Sequence, residues 1–166
     1  MLKRLFVFIL IATTFYSCKK DAATCAYQPP TEVATSAEIS YLQNYLSTNS
    51  IAAIQHPSGV YYVITNPGTG SSPSVCSVIQ VDYAGYLLNG TRFDFTNPGT
   101  PAKFTLGGLI KGWQAVLPLL KKGGTITLYI PPSLAYGNND IRDQNGSIVI
   151  PANSYLKFTI GLADVL

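Results

Sequence analysis

The sequence predicts an α+β fold: an antiparallel sheet of four to five strands curled around one short helix, preceded by an N-terminal amphipathic helix. Three observations carry that prediction. From Gly59 onward the apolar residues recur with the period of strands, in short runs bounded by turn signals. Two of those signals are Asn66-Pro67-Gly68, which ends the first run, and Asn89-Gly90, a strong hairpin signal after the second. In that half of the chain helical spacing shows in Lys111–Leu120, and Pro118 cuts the helix short because its ring clashes with the preceding turn.

The elements follow in order. Residues 1–17 read as a signal peptide, with Lys3 and Arg4 ahead of the apolar run Leu5–Ala12. The run is too short for a membrane span, which takes about 20 apolar residues. An uncleaved N-terminal anchor is the other reading. Residues 18–34 contain Pro29-Pro30 and show no periodicity, so they read as a tether. Residues 35–58 form a helical extension. Thr35 and Glu38 have capping-box spacing, and Ile39, Leu42, Tyr45 and Leu46 follow at helical intervals, which predicts a helix over 36–48. It can lie against its own domain or serve as a dimerisation element. The main domain, 59–166, holds strands at Val60–Thr65, Ser77–Leu88, Thr125–Ile130 and Tyr155–Leu162. Asn89-Gly90 predicts a type I′ hairpin turn, which accounts for Asn89-Gly90-Thr91 without invoking the glycosylation sequon it also spells.

Composition excludes some functions. Charged residues are 11% of the 166, against about 25% in a typical soluble domain. The net charge is +3, and loss of Lys3 and Arg4 with residues 1–17 leaves 9 basic against 8 acidic side chains. No basic stripe interleaved with aromatics remains, which argues against nucleic acid as a partner. His56 is the single histidine, and no Cys-x-x-Cys occurs, which argues against a zinc site. Ser17-Cys18 is similar to the end of a bacterial lipobox, making Cys18 the candidate for lipidation. Lys19-Lys20-Asp21 resembles the start of many Bacteroidetes lipoproteins. That implies a tethered protein in an oxidising compartment of the cell envelope, on the periplasmic side of the outer membrane or at the surface. Cys25 and Cys76 then remain as a candidate disulfide, the alternative being one buried and one exposed thiol.

A run of landmarks covers the second half: Val81-Asp82-Tyr83-Ala84-Gly85-Tyr86, Gly90-Thr91-Arg92-Phe93-Asp94, Gly107-Gly108-Leu109-Ile110-Lys111-Gly112-Trp113, Ile130 to Gly137, Ile150-Pro151-Ala152-Asn153 and Leu156-Lys157-Phe158. In this order they resemble the FKBP-type peptidyl-prolyl cis-trans isomerases. Any one piece taken alone has a plain reading. Trp113 and Phe158 could be core, Asp94 a turn residue, and Tyr83 and Tyr136 rim residues.

The resemblance implies roles. Trp113 matches the floor on which a proline ring rests, and Tyr83, Phe93 and Phe158 match the aromatic walls. Leu109 and Ile110 match the apolar pair before Lys-Gly-Trp, the Ile110 amide donating to a substrate carbonyl. Asp94 matches the carboxylate beside the rotating amide, steadied by Tyr83. Tyr136 matches the phenol that hydrogen-bonds a bound peptide or macrolide, and Ile150 would close the rim. The implied activity is isomerisation of X–Pro bonds in exported polypeptides, with no cofactor or metal. The alternative is a non-catalytic binding or chaperone module of the same fold. A glycan-binding surface would use Trp113 and the tyrosines but has no need of the Phe-Asp or Ala-Tyr-Gly pieces.

Three departures from the family stand out. Ala102 occupies a position that is aromatic in well-studied eukaryotic members, so one wall is missing. Phe95 adds an aromatic that could occlude or extend the pocket. The 137–149 loop is longer than usual and is expected to overhang the site.

Overall fold

The computed structural model describes residues 25–166, so the signal peptide and the Cys18 lipidation site lie outside the described residues. The N-terminal helix α1 spans Ser36–Thr48, and its capping box is complete. Thr35 Oγ1 accepts from the Glu38 amide at 3.3 Å, while Glu38 Oε2 accepts from the Thr35 amide at 2.9 Å. Leu42 and Leu46 are buried one turn apart and pack with Tyr61 and Tyr129 in a small cluster. The helix therefore lays its apolar stripe on its own domain. Glu38 adds a tertiary tie, accepting from the Ser133 amide at 2.9 Å and the Ser133 hydroxyl at 2.8 Å. Burial alone would raise its pKa, but these bonds and those from Thr35 hold the carboxyl below its ordinary value.

The main sheet is antiparallel and seven-stranded. The four strands expected from periodicity are β2 (Tyr61–Asn66), β3 (Val78–Leu87), β6 (Thr125–Ile130) and β9 (Leu156–Val165). Three short strands complete it: β1 (Ile54–Gln55), β4 (Arg92–Phe95) and β5 (Ala102–Thr105). The order is β1-β2-β6-β9-β3-β4, with β5 also on β3. β4 and β5 share one edge of β3, β5 against Val78–Val81 and β4 against Ala84–Tyr86. These short strands were not predicted, because two to four residues cannot display a period.

The short helix α2 spans Lys111–Val116 and tightens into a 3-10 turn at Leu117–Leu119, where Pro118 lacks the amide an α-helix would need. Its buried Trp113, Val116 and Leu117 meet Ile79, Ile126 and Ile160 in the main core. The β3–β4 hairpin corrects the turn expectation. Its loop is Leu88-Asn89-Gly90, closed by Leu87 N–H to Thr91 O at 2.9 Å and Gly90 N–H to Leu87 O at 3.0 Å. Gly90 has positive φ (92°) but Asn89 does not; its side chain instead accepts from the Thr91 amide at 2.9 Å. The third loop residue removes the need for two successive left-handed residues.

The segment read as a tether is fastened to the domain from Cys25 onward. Cys25 and Cys76 form a disulfide, with Cα atoms 5.7 Å apart. With its ends 51 positions apart in the sequence, such a crosslink is worth about 4 kcal/mol in the chain-entropy account. The Tyr27 ring lies so close to Gly107 that a Cβ there would overlap it. Farther along, Glu32 pairs with Lys111 at 3.3 Å and Ala34 N–H donates to Ser58 O at 2.9 Å. The long 137–149 loop folds on itself as a hairpin of β7 (Ile141–Arg142) and β8 (Ile148–Ile150). Asp140 braces that hairpin, accepting from Arg142 at 3.2 Å and from the Ala152 amide at 2.9 Å.

Candidate active site

A cavity of about 200 Å³ opens between β3, β4, β5, β9 and the start of α2, lined by Tyr83, Asp94, Phe104, Leu109, Ile110, Trp113, Tyr136 and Phe158. Strand geometry brings the aromatic group together. Tyr83 on β3 and Phe158 on β9 come from paired neighbours, and Trp113 rises beneath them from the first turn of α2. The rings meet edge to face, Trp113 to Phe158 at 5.2 Å and 88°, and Trp113 to Tyr83 at 5.5 Å and 83°. Such contacts set positive ring edges against negative faces and hold the walls in one arrangement. Gly85 permits it: a Cβ there would stand 2.7 Å from both Phe158 and Phe93.

Asp94 is the acid at the wall, and both its oxygens are engaged. Oδ2 accepts from the Tyr83 hydroxyl at 2.7 Å and Oδ1 from the Phe95 amide at 2.8 Å. Burial, then the hydrogen bond to Asp94, then the charges of Asp94 and Tyr136 push the Tyr83 phenol well above its ordinary range. Tyr136 is raised as well, by burial first and the Asp94 charge second. Both phenols therefore stay protonated donors at neutral pH. Trp113 is 4% exposed, and its indole N–H is buried without a hydrogen-bond acceptor among the described residues. An orphaned buried donor costs about 1–3 kcal/mol, a defect tolerated more often at sites than in cores.

The structure gathers Tyr83, Asp94, Leu109, Ile110, Trp113, Tyr136 and Phe158 around one cavity. Phe93 stands behind the wall rather than on it, packed edge to face on Phe158 at 5.6 Å. Ile150 corrects the expectation of a rim residue. It pairs with Ile141 in the β7–β8 hairpin, is 3% exposed, and packs in the core instead of lining the cavity. Phe104 was missed. It lines the cavity and meets Tyr83 at 6.1 Å, because β5 carries it onto the edge of β3. Its alternation with Ala102 was the available signal. Phe95 neither occludes nor extends the cavity; it is 46% exposed and covered by the Arg92 guanidinium at 3.9 Å. The long loop adds no wall residue beyond Tyr136, which precedes it.

A largely apolar, aromatic recess with one carboxylate and phenol hydroxyls suits a small apolar ring flanked by peptide carbonyls. It holds no nucleophile with an adjacent base, so the chemistry it can promote is one of solvation and orientation.

Comparison with known proteins agrees. A family described as FKBP-type peptidyl-prolyl cis-trans isomerase matches residues 70–163, more than half of the chain. The isomerase FkpA of Buchnera aphidicola (subsp. Schizaphis graminum) is 44% identical over 110 residues, covering 65% of this chain and 41% of the relative. The isomerase Mip of Coxiella burnetii is 40% identical over 108 residues, covering 64% of this chain and 45% of the relative. The chain thus spans less than half the length of these curated relatives. The crystal structure of FkpA from Escherichia coli superposes with a TM-score of 0.65 at 35% identity, over 78% of this chain and 57% of the other.

Proposed function

Because the chain belongs to the FKBP-type peptidyl-prolyl cis-trans isomerase family, we propose that it catalyses rotation about X–Pro amides in proline-containing polypeptides exported to the cell envelope. The observation that carries the proposal is the Asp94 carboxylate, fixed by Tyr83 and the Phe95 amide above a Trp113 floor.

The barrier to rotation, about 18–20 kcal/mol, comes from resonance between amide nitrogen and carbonyl. The planar amide is the more charge-separated and is best solvated by water. Moving it into an apolar recess removes that solvation and brings the planar form closer in energy to the twisted one. Trp113 and Phe158 seat the proline ring. The Ile110 amide holds a neighbouring carbonyl of the peptide, and Tyr136 offers its hydroxyl to another. Asp94 faces the rotating carbon–nitrogen bond, where its field favours the twisted arrangement. Nothing becomes covalent and no proton is transferred. A macrolide would occupy the same recess.

The first 17 residues act as an export signal and Cys18 as the lipid attachment point, a reading supported by the order of charge, apolar run and Ser17-Cys18. Mass spectrometry of the protein from its native host should find lipid on Cys18 and no Met1. An intact Met1 or an unmodified Cys18 contradicts it. For the activity, a protease-coupled assay on proline tetrapeptides should give a rate above background with protein lacking residues 1–17. A folded protein with no such rate on any proline peptide would leave only a binding role.

A further inference from the structure

We propose that Gln114 is a positioning residue, holding the Leu109–Ile110 peptide so that its N–H binds the substrate carbonyl; this rests on the reading of the site given above. Gln114 is 5% exposed and is one of two buried polar side chains among the described residues. Its neighbours on α2, Trp113 and Val116, are buried apolar residues, so an amide at 114 breaks the local pattern. Burying an amide is costly unless its hydrogens are used. Both are used. Nε2 donates to Gly107 O at 3.1 Å and to Leu109 O at 2.6 Å. Two carbonyl acceptors also fix which end of the amide carries the nitrogen.

The second bond matters most. Leu109 C=O and Ile110 N–H are the two ends of one planar peptide, so anchoring the oxygen fixes the direction of the hydrogen. A donor on the oxygen also polarises the peptide and strengthens its N–H. Leu109 and Ile110 are both extended (φ −93° and −60°, ψ 177° and 148°). Neither belongs to a strand, so no ladder holds this peptide plane. Gln114 supplies the acceptor's partner that a neighbouring strand would supply. The Ile110 N–H makes no backbone hydrogen bond among the described residues, and Ile110 is one of the residues that line the cavity.

The test is steady-state kinetics of the purified full chain on a proline tetrapeptide, with thermal unfolding run in parallel. Gln114→Met keeps the length and removes both donors. KM should rise about three- to tenfold, the range of one hydrogen bond, with kcat within about twofold, because the carbonyl is held in planar and twisted states alike. Gln114→Glu is the conservative rescue and covers the case in which Gln114→Met fails to fold. Buried against two carbonyls, the acid should keep its proton at mildly acid pH and give it to Leu109 O. Its KM should then be near that of the parent at acid pH and climb as pH rises, while the parent stays flat. A merely structural role would lower Tm and the active fraction without a KM or pH signature. A folded Gln114→Met with unchanged KM, or a Gln114→Glu whose KM ignores pH, overturns the inference. An unmodified chain with no rate on any proline peptide overturns instead the reading of the site on which it rests.

Discussion

The cavity in front of α2 and the groove behind it differ in size, lining and what each leaves free. The groove is larger, about 520 Å³ against about 200 Å³, and is lined by Pro29, Pro30, Pro57, Pro73 and Pro118 with Val33 and Val75. α2 gives Trp113 to the cavity and Gln114 and Ala115 to the groove. Several polar side chains of the groove are already engaged: Glu32 pairs with Lys111, His56 Nδ1 meets Ser58 Oγ at 2.9 Å, and Gln114 serves two carbonyls. In the cavity, the Tyr136 hydroxyl and the Ile110 amide have no hydrogen-bond partner among the described residues, and Asp94 adds a carboxylate to the lining. Volume is therefore a poor guide. Polar groups converging on an apolar lining, and still able to bind, mark the site.

Four substitutions and one titration sharpen that contrast. Trp113→Ala should do most harm, since it takes the floor from the cavity and a buried ring from the core. Loss of about 3–5 kcal/mol of stability is expected from denaturant unfolding, with activity near background. Asp94→Val should separate activity from stability. kcat/KM should fall about tenfold or more, the scale of a hydrogen bond to a charged group, while the Tm hardly moves because the carboxylate sits at the cavity edge. If activity survives intact, the acid is not part of the site.

Tyr136→Phe should be milder, about two- to tenfold in kcat/KM for one neutral hydrogen bond. The same phenol gives a pH prediction. Tyr83 and Tyr136 both have raised pKa values in the fold, so the native state binds their protons more tightly than the unfolded chain does. Their contribution to stability is full below the ordinary phenol value of about 10 and is lost as pH rises through the higher folded values. Activity should thus be level through neutral pH, and tyrosinate absorbance should show Tyr83 and Tyr136 in a late-ionising group together with Tyr61, Tyr129 and Tyr155, whose phenols burial also raises. Val33→Ala should matter least. Val33 is 62% exposed on the groove, and kcat/KM should stay within about twofold, as for a surface change. A loss matching that of Tyr136→Phe would make the groove part of the site.

Much of this was legible in the sequence, and what was not has physical causes. The predicted helix over 36–48 coincides with α1 because the Thr35–Glu38 capping box and the spacing of Leu42 and Leu46 are local signals. β6 was bounded at Thr125 and Ile130 for the same reason: alternation between a glycine pair and a proline pair leaves little freedom. Glu38 also bonds Ser133, 95 residues away, and no local rule could announce that. The Asn89 turn failed because loop length decides turn type, and a third loop residue depends on the register of β3 on β4. Landmark residues located the cavity, but Ile150 turned inward with the β7–β8 pairing, and Phe104 entered through a strand too short to recognise. Gln114 drew no attention because one glutamine in a short helix looks like surface.

The Cys25–Cys76 bridge also decides how the domain bears mechanical load. A pull on the chain ahead of Cys25 passes through sulfur to Cys76 and thence, within two residues, into β3, the strand paired with β9, β4 and β5. The intervening α1, β1 and β2 lie inside the closed loop, off the load path. Tension would then meet a sheet strand bonded on both edges, loaded at its first residues, rather than a lone helix that could peel away turn by turn. With the bridge reduced, the same pull would reach the Tyr27 seat on Gly107 and then α1 first, so the weakest attachments would yield before the sheet felt any strain.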